Sequence, residues 1–211
     1  EAWEDEVLHY GDYQMEIYRA GLNGRLPKLP VDFRGLEARA HAAMPPGVVS
    51  YVAGGCGNEP TQNINVSAFE RWGLIPRMFV GTAKRDMSIN LFGMRLPTPI
   101  FMCPIGVIGL CAQDGHGDIA TARAARKLGV PMVASTLSNN PLEEVASEFG
   151  ETPGFFQLYT PTDRALAESL VRRAEAAGFK GIVVTLDTWV TGWRPRDLNQ
   201  SNFPQLRGHA L

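Results

Sequence analysis

The sequence predicts an α/β fold: a (β/α)8 TIM barrel, of which this chain carries an N-terminal helical segment and about the first four strands. Three observations lead there. Short apolar runs alternate with longer amphipathic stretches between residues 98 and 194, the pattern of parallel strands with helical crossovers. Each run delivers hydrogen-bonding side chains or a tight turn at its C-terminal end, where a barrel builds its active site. Only four such runs fit into 211 residues, half of what a closed barrel of about 250 residues needs.

The elements follow in order. Residues 1–95 mix short helical patterns with many Pro and Gly, and read as a helical and irregular segment leading into the barrel. Residues 96–211 read as its first half. The candidate strands are 99–103, 130–134, 154–159 and 181–186, each short, β-branched or aromatic, and bounded by Gly or Pro. Uninterrupted apolar runs of this kind fit strands buried on both faces. Residues 117–128 carry Ala and Arg at helical spacing and stop at Gly129, a helix with a glycine cap. Asn140-Pro141-Leu142-Glu143 reads as an N-cap, a first-turn proline and a capping box, with the helix closing at Gly150. Thr160-Pro161-Thr162-Asp163 opens the next helix in the same way, and Gly178 closes it.

An open doubly wound sheet is the competing architecture. It would gather its ligand groups at one switch point, whereas here they end every strand: Pro104-Ile105-Gly106, Ser135-Thr136, Gln157 with Tyr159, and Thr185-Leu186-Asp187. Neither glycine-rich phosphate fingerprint follows any strand.

Composition narrows the function. Charged residues make up 20% and the formal net charge is −2, which gives no electrostatic reason for a nucleic-acid partner. No run approaches the roughly 18 apolar residues of a membrane span. The start is acidic, unlike a signal peptide. Cys56, Cys103 and Cys111 are odd in number and lack C-x-x-C spacing, so neither a disulfide framework nor a zinc knuckle is expected and a reducing cytoplasm is the simplest setting. His9, His41, His116 and His209 show no metal spacing, and no metal is expected.

The densest polar cluster runs from Thr185 to Asp197. Arg194 and Arg196, separated only by Pro195, offer a fork for a small carboxylate or phosphate; the alternative is a surface ion pair with Asp187 or Asp197. Gln157 and Tyr159 lie two apart and share one face of a strand. A buried Gln needs partners, which a planar heterocycle or a core network would supply. Tyr51 precedes Ala53-Gly54-Gly55, where glycine permits close backbone approach.

Residues 50–55, Pro104-Ile105-Gly106-Val107, residues 118–128, Ser135-Thr136, residues 155–159 and the run from Thr185 to Arg194 together resemble the FMN-dependent α-hydroxy acid oxidases and dehydrogenases. Within that family the resemblance is strongest to the lactate 2-monooxygenase branch, through residues 50–55, 103–118 and 186–208. The resemblance implies a cofactor, FMN, and a small L-2-hydroxy acid substrate such as lactate, with O2 as acceptor. It implies that Tyr51 and Arg194 hold the substrate carboxylate and that Tyr159 lies near the substrate hydroxyl. It also implies that Asp187 orients the catalytic His. Pro104, Ile105 and Gly106 would face the flavin ring near N5, and Ser135, Gln157 and Thr185 would bond its edge. Gly106 stands where simple oxidases often have Ala, and Leu137 where glycolate oxidase-like members have Trp. The family's catalytic His, flavin Lys, second Arg and phosphate loops come after the fourth strand, so a C-terminal half is an expected partner, along with assembly into a homo-oligomer of four or eight chains. The alternative function is a catalytically silent half-barrel that binds or assembles.

Overall fold

The computed structural model describes residues 12–81, 86–112 and 114–203. The acidic start, His9, His209 and the end of the 186–208 stretch lie outside the described residues. The chain divides into two compact units, before and after the Pro46–Gly47 bond. The first holds α1 (Asp12–Gly21) and α2 (Phe33–Ala43). Asp32 caps α2 by accepting the Gly35 N–H at 2.8 Å, which satisfies one of the free first-turn donors.

The second unit contains almost all of α3 (Pro46–Ala53), then α4 (Pro60–Ser67), a 3-10 turn at Ala68–Arg71 and an antiparallel hairpin of β1 (Ile89–Leu91) and β2 (Met94–Leu96). Phe92 and Gly93 both take positive φ at the hairpin turn, the backbone a tight two-residue connection requires. A second 3-10 turn at Ile108–Cys111 leads into α5 (Gly117–Leu128), β3 (Met132–Ala134), α6 (Leu142–Ser147), β4 (Gly154–Leu158), α7 (Arg164–Ala176), β5 (Ile182–Val184) and α8 (Pro195–Asn199).

Strands β3, β4 and β5 form a parallel sheet in that order. Ala134 pairs with Phe156, and Phe156 with Ile182. Helix α5 precedes β3, α6 and α7 lie between successive strands, and the apolar stripes of all three cover one face. The core joins Ala122, Ala125, Val145 and Ala174 from the helices to Met132, Ala134, Phe156 and Leu158 from the strands. Phe156 lies 5.8 Å from the Phe179 ring, while Phe155, on the opposite face, meets Phe101 at 5.6 Å.

Three expectations need correction. The run 99–103 forms no full strand: it is a single parallel bridge, Met102 to Met132. Met102 donates to Pro131 O and accepts from Val133 N, both at 2.9 Å. Pro99 opens the run and Pro104 follows it, and neither has an N–H to extend the pairing. The run 181–186 is not buried on both faces, since Ile182, Val183 and Val184 are 37%, 41% and 48% exposed. As the sheet edge, β5 pairs on one side only among the described residues. The four-strand half-barrel is therefore three strands and a bridge, and the barrel is not closed. Finally, the capping box at 140–143 does not form. Pro141 occupies the cap position without a side-chain bond, because the Asn140 amide turns to His116 Nδ1 at 2.8 Å, and α6 ends at Ser147 rather than Gly150.

The end of α5 agrees with the sequence, whereas α7 starts at Arg164, later than the Thr160 cap and first-turn Pro161 read from the sequence. Gly129 caps α5 at φ +64°, a left-handed conformation that costs other residues about 1 kcal/mol. Asp163 caps α7 by accepting the Ala165 and Leu166 N–H groups. Surface ion pairs tie the helices together: Arg173 of α7 forks onto Glu143 of α6 at 2.7 and 2.9 Å, a half-exposed pair contributing at most about 1 kcal/mol.

Asp118, in the first turn of α5, is buried and accepts the Asn139 N–H at 2.9 Å. Burial raises its carboxyl above the ordinary range, only partly offset by its bonds from Asn139 and Ser138. The folded state thus holds this proton more tightly than the unfolded chain. Its stabilising contribution is full below the unfolded value and fades as pH rises through the raised value. Urea titrations should show the stability difference, parent minus Asp118→Asn, falling as pH rises above the ordinary carboxylate value of about 4. A difference that rises with pH would contradict the assignment.

Candidate active site

The C-terminal ends of the parallel strands carry a ladder of polar side chains. Parallel register places Ser135, one residue past β3, beside Gln157 of β4, with Thr185 one residue past β5. Gln157 is 2% exposed and Ser135 4%. Ser135 Oγ donates to Gln157 Oε1 at 3.3 Å and accepts the Leu137 N–H at 3.0 Å. The Thr136 N–H donates to the same Oε1 at 3.1 Å. Gln157 Nε2 donates to Thr185 Oγ1 at 2.7 Å. Thr136 Oγ1 donates to Gln157 O at 2.5 Å and accepts the Tyr159 N–H at 3.0 Å. Gln157 is thus locked in one orientation: Oε1 saturated, Nε2 keeping one hydrogen, and the Thr185 hydroxyl still able to donate.

The Pro104-Ile105-Gly106 turn is tied to this ladder by the Val107 N–H, which donates to Leu137 O at 2.9 Å. Ile105 is half exposed. A Cβ on Gly106 would lie 3.2 Å from Leu137 Cβ and 3.7 Å from Ser135 Oγ, so the glycine backbone packs closely beside the ladder.

A second group grows from the same strand end, nine positions after Thr185. The Arg194 guanidinium carbon lies 5.5 Å from the centroid of the Tyr51 ring, within cation–π range. Arg196 does not join it: its guanidinium goes to Glu59 at 2.6 Å. Glu59 also accepts the Gly55 N–H, and these two contacts lower its carboxyl below the ordinary range. The sequence alternatives are thus divided. Arg194 packs on Tyr51 in place of a two-arginine fork, and neither Arg pairs with Asp187 or Asp197. Tyr159 is half-buried next to the ladder, held through its backbone, while Asp187 is exposed on the segment following β5.

Ser135, Gln157 and Thr185 are therefore brought together, as are Tyr51 and Arg194. The ladder contains one member that sequence reasoning left out of the site, Thr136, although Ser135-Thr136 was singled out as a strand end. Ser50 and Asp197, a buried hydrogen-bonded pair, also escaped it. Ser50 looks like any small helical residue, and Asp197 was weighed only as a surface partner for arginine.

A family model described as FMN-dependent dehydrogenase matches residues 40–210. The chain belongs to the FMN-dependent dehydrogenase family. It is 38% identical over 202 residues to an FMN-dependent alpha-hydroxy acid dehydrogenase from Penicillium citrinum, covering 95% of this chain and 50% of that protein. It is also 38% identical to an L-lactate oxidase from Lysinibacillus sphaericus, over 86% of this chain and 46% of the relative. Among solved structures, a lactate oxidase from Pediococcus acidilactici superposes with a TM-score of 0.76 at 34% identity, over 82% of this chain and 47% of that one. The chain thus spans about half the length of the relatives it matches.

The family's cofactor is FMN, and the residues present fit it. The free Nε2 hydrogen of a buried, locked Gln157 and the Thr185 hydroxyl are donors with no further partner among the described residues, and the bare backbone at Gly106 is a cradle that a Cβ would begin to fill. Among the described residues, no helix is long and apolar enough to cross a membrane.

Proposed function

We propose that this chain is the first half of a barrel enzyme of the FMN-dependent dehydrogenase family that oxidises a small L-2-hydroxy acid, with lactate as substrate and O2 as acceptor. The observation that carries the reading is the pairing of a locked polar ladder at the strand ends with an Arg194–Tyr51 contact fed by the same strand end. The β5 edge, with its exposed apolar residues, supports a role for further strands that complete the barrel and supply the His base.

Each residue has a task. Ser135, Gln157 and Thr185 hold the flavin edge, and the 104–106 backbone lines its ring. Bound FMN supplies the two-electron acceptor that the protein lacks. Arg194 and the Tyr51 hydroxyl grip the substrate carboxylate and so fix the direction of Cα, a positioning effect worth orders of magnitude in rate. Tyr159 bonds the substrate hydroxyl. Asp187 orients the His that removes the hydroxyl proton and stabilises its cation. The balanced outcome is lactate plus O2 giving acetate, CO2 and water when pyruvate is retained with peroxide. When pyruvate escapes, the products are pyruvate and hydrogen peroxide. Free, exposed Cys56, Cys103 and Cys111 support a reducing cytoplasm, and a homo-oligomer of four or eight chains is the proposed assembly.

The direct test is anaerobic mixing of the complete FMN-loaded protein with L-lactate and D-lactate. L-lactate should bleach the flavin absorbance and D-lactate should not. Failure of every L-2-hydroxy acid to bleach it would end this reading.

Gly106 supports the monooxygenase outcome through the space it leaves. Gly106→Ala places a methyl group against Leu137, and Leu137 must yield by a few tenths of an ångström. Product analysis should then shift from acetate and CO2 towards pyruvate and peroxide, with the flavin reduction rate changed less than about threefold, under 1 kcal/mol in barrier. Slowed reduction with unchanged products would refute the role of that space.

A further inference from the structure

The segments that carry Tyr51 and Arg194 are joined by a buried polar pair that the proposed chemistry does not use. Ser50 Oγ donates to Asp197 Oδ1 at 3.2 Å. The two residues are 5% and 4% exposed. Ser50 immediately precedes Tyr51 in α3, and Asp197 follows Arg194 by three residues, one turn into α8. The pair thus sits one residue from one member of the Tyr51–Arg194 contact and one helical turn from the other.

Other ties run between the same two segments: the Gly57 N–H to Trp193 O at 2.9 Å, Arg196 to Glu59 at 2.6 Å, and the Asn202 amide to Gly47 O at 2.9 Å. They flank the contact on either side, and none is a bond between two buried side chains. The Ser50–Asp197 bond is also poorly suited to stability alone. Asp197 Oδ2 is buried with no hydrogen-bond partner among the described residues, and a half-satisfied buried carboxylate costs folding free energy. An apolar pair would hold two helices together at least as well. An apolar pair, however, would not fix their register as a directional bond does.

We infer that the Ser50–Asp197 hydrogen bond is a positioning latch that sets the spacing of Tyr51 and Arg194, and with it the grip on the substrate carboxylate. The inference rests on the proposed role of Tyr51 and Arg194. Ser50 and Asp197 act through those two residues and are positioning residues. Arg194 is long and flexible, so a small displacement of its backbone relative to Tyr51 is enough to spoil a two-point grip.

The test uses the complete FMN-loaded protein, with oxalate, an unreactive two-carbon dicarboxylate, as the calorimetric probe. In the double variant Ser50→Ala/Asp197→Leu, the oxalate Kd and the hydroxy acid KM should both rise about tenfold or more. FMN content and Tm should be held, and kcat/KM should fall by at least the factor by which KM rises. Asp197→Asn still accepts the Ser50 hydroxyl, so its oxalate Kd should stay within about threefold of the parent. If the double variant cannot be recovered folded, Ser50→Ala alone should show the same rise. Unchanged oxalate affinity in the recovered variant overturns the latch. So does an equal loss in Asp197→Asn, which would assign the effect to charge, and so does a loss that tracks falling Tm, which would make the pair merely structural. A parent protein that neither binds oxalate nor oxidises any hydroxy acid sinks the broader reading as well, whereas an active parent with unchanged variants sinks the latch alone.

Discussion

In the complete protein, Gln157→Ala is expected to weaken FMN binding by about a hundredfold, close to 3 kcal/mol, and to destabilise the fold by about 2–4 kcal/mol. Gln157 is the hub of the ladder. Its Oε1 accepts from Ser135 Oγ and the Thr136 N–H, and its Nε2 donates to Thr185. Truncation leaves the part-buried Thr136 N–H and the buried Ser135 hydroxyl without their acceptor and opens a void between β3 and β5. Gln157→Glu separates the two consequences. The carboxylate can still accept from Thr136 and Ser135, so much of the stability should survive. It offers no amide donor, so FMN binding should still fall. Equilibrium dialysis and urea titration of both variants provide the measurement. FMN affinity retained in both would remove Gln157 from the cofactor site.

Arg194→Lys is expected to raise KM and lower turnover by at least about tenfold each. The guanidinium is planar and carries its donors as a fork, and its carbon lies over the Tyr51 ring, 5.5 Å from the centroid. An ammonium group on a flexible stem keeps the charge and loses the fork. Tyr51→Phe removes the hydroxyl and leaves the ring beneath Arg194, so its effect should be smaller and confined mainly to KM. Steady-state kinetics on L-lactate decide both. Unchanged values for Arg194→Lys would mean that the carboxylate is held elsewhere.

The parallel sheet and the clustering of Ser135, Gln157 and Thr185 at its strand ends were legible in the sequence for specific reasons. Gly129 ends α5 by strong local chemistry, a positive φ, whereas α7 is capped by the Asp163 carboxylate, three residues after the Thr160 cap that the sequence suggests. The 154–158 run is apolar throughout apart from Gln157, and β4 is indeed buried along its length. Where tertiary context outweighed local signal, the reading failed. Asn140 has the sequence of an N-cap, yet its amide prefers His116. The run 181–186 has the composition of a buried strand, yet burial depends on neighbours and β5 has one on a single side among the described residues. The β1–β2 hairpin was missed because its strands are three residues each and Phe92 is an unusual residue for positive φ. In the site, spacing along one strand showed that Gln157 needs partners. No local pattern could show that Ser50 and Asp197 meet, since 147 positions separate them.

The central claim is that the strand-end ladder holds the flavin while Arg194 and Tyr51 hold the substrate. A crystal structure of the complete protein with FMN and oxalate tests it most directly. Gln157 Nε2 and Thr185 Oγ1 should be bonded to the polar edge of the flavin, and oxalate should be held by Arg194 and the Tyr51 hydroxyl. A flavin bound away from Gln157, or oxalate seated where Arg194 does not touch it, would contradict it.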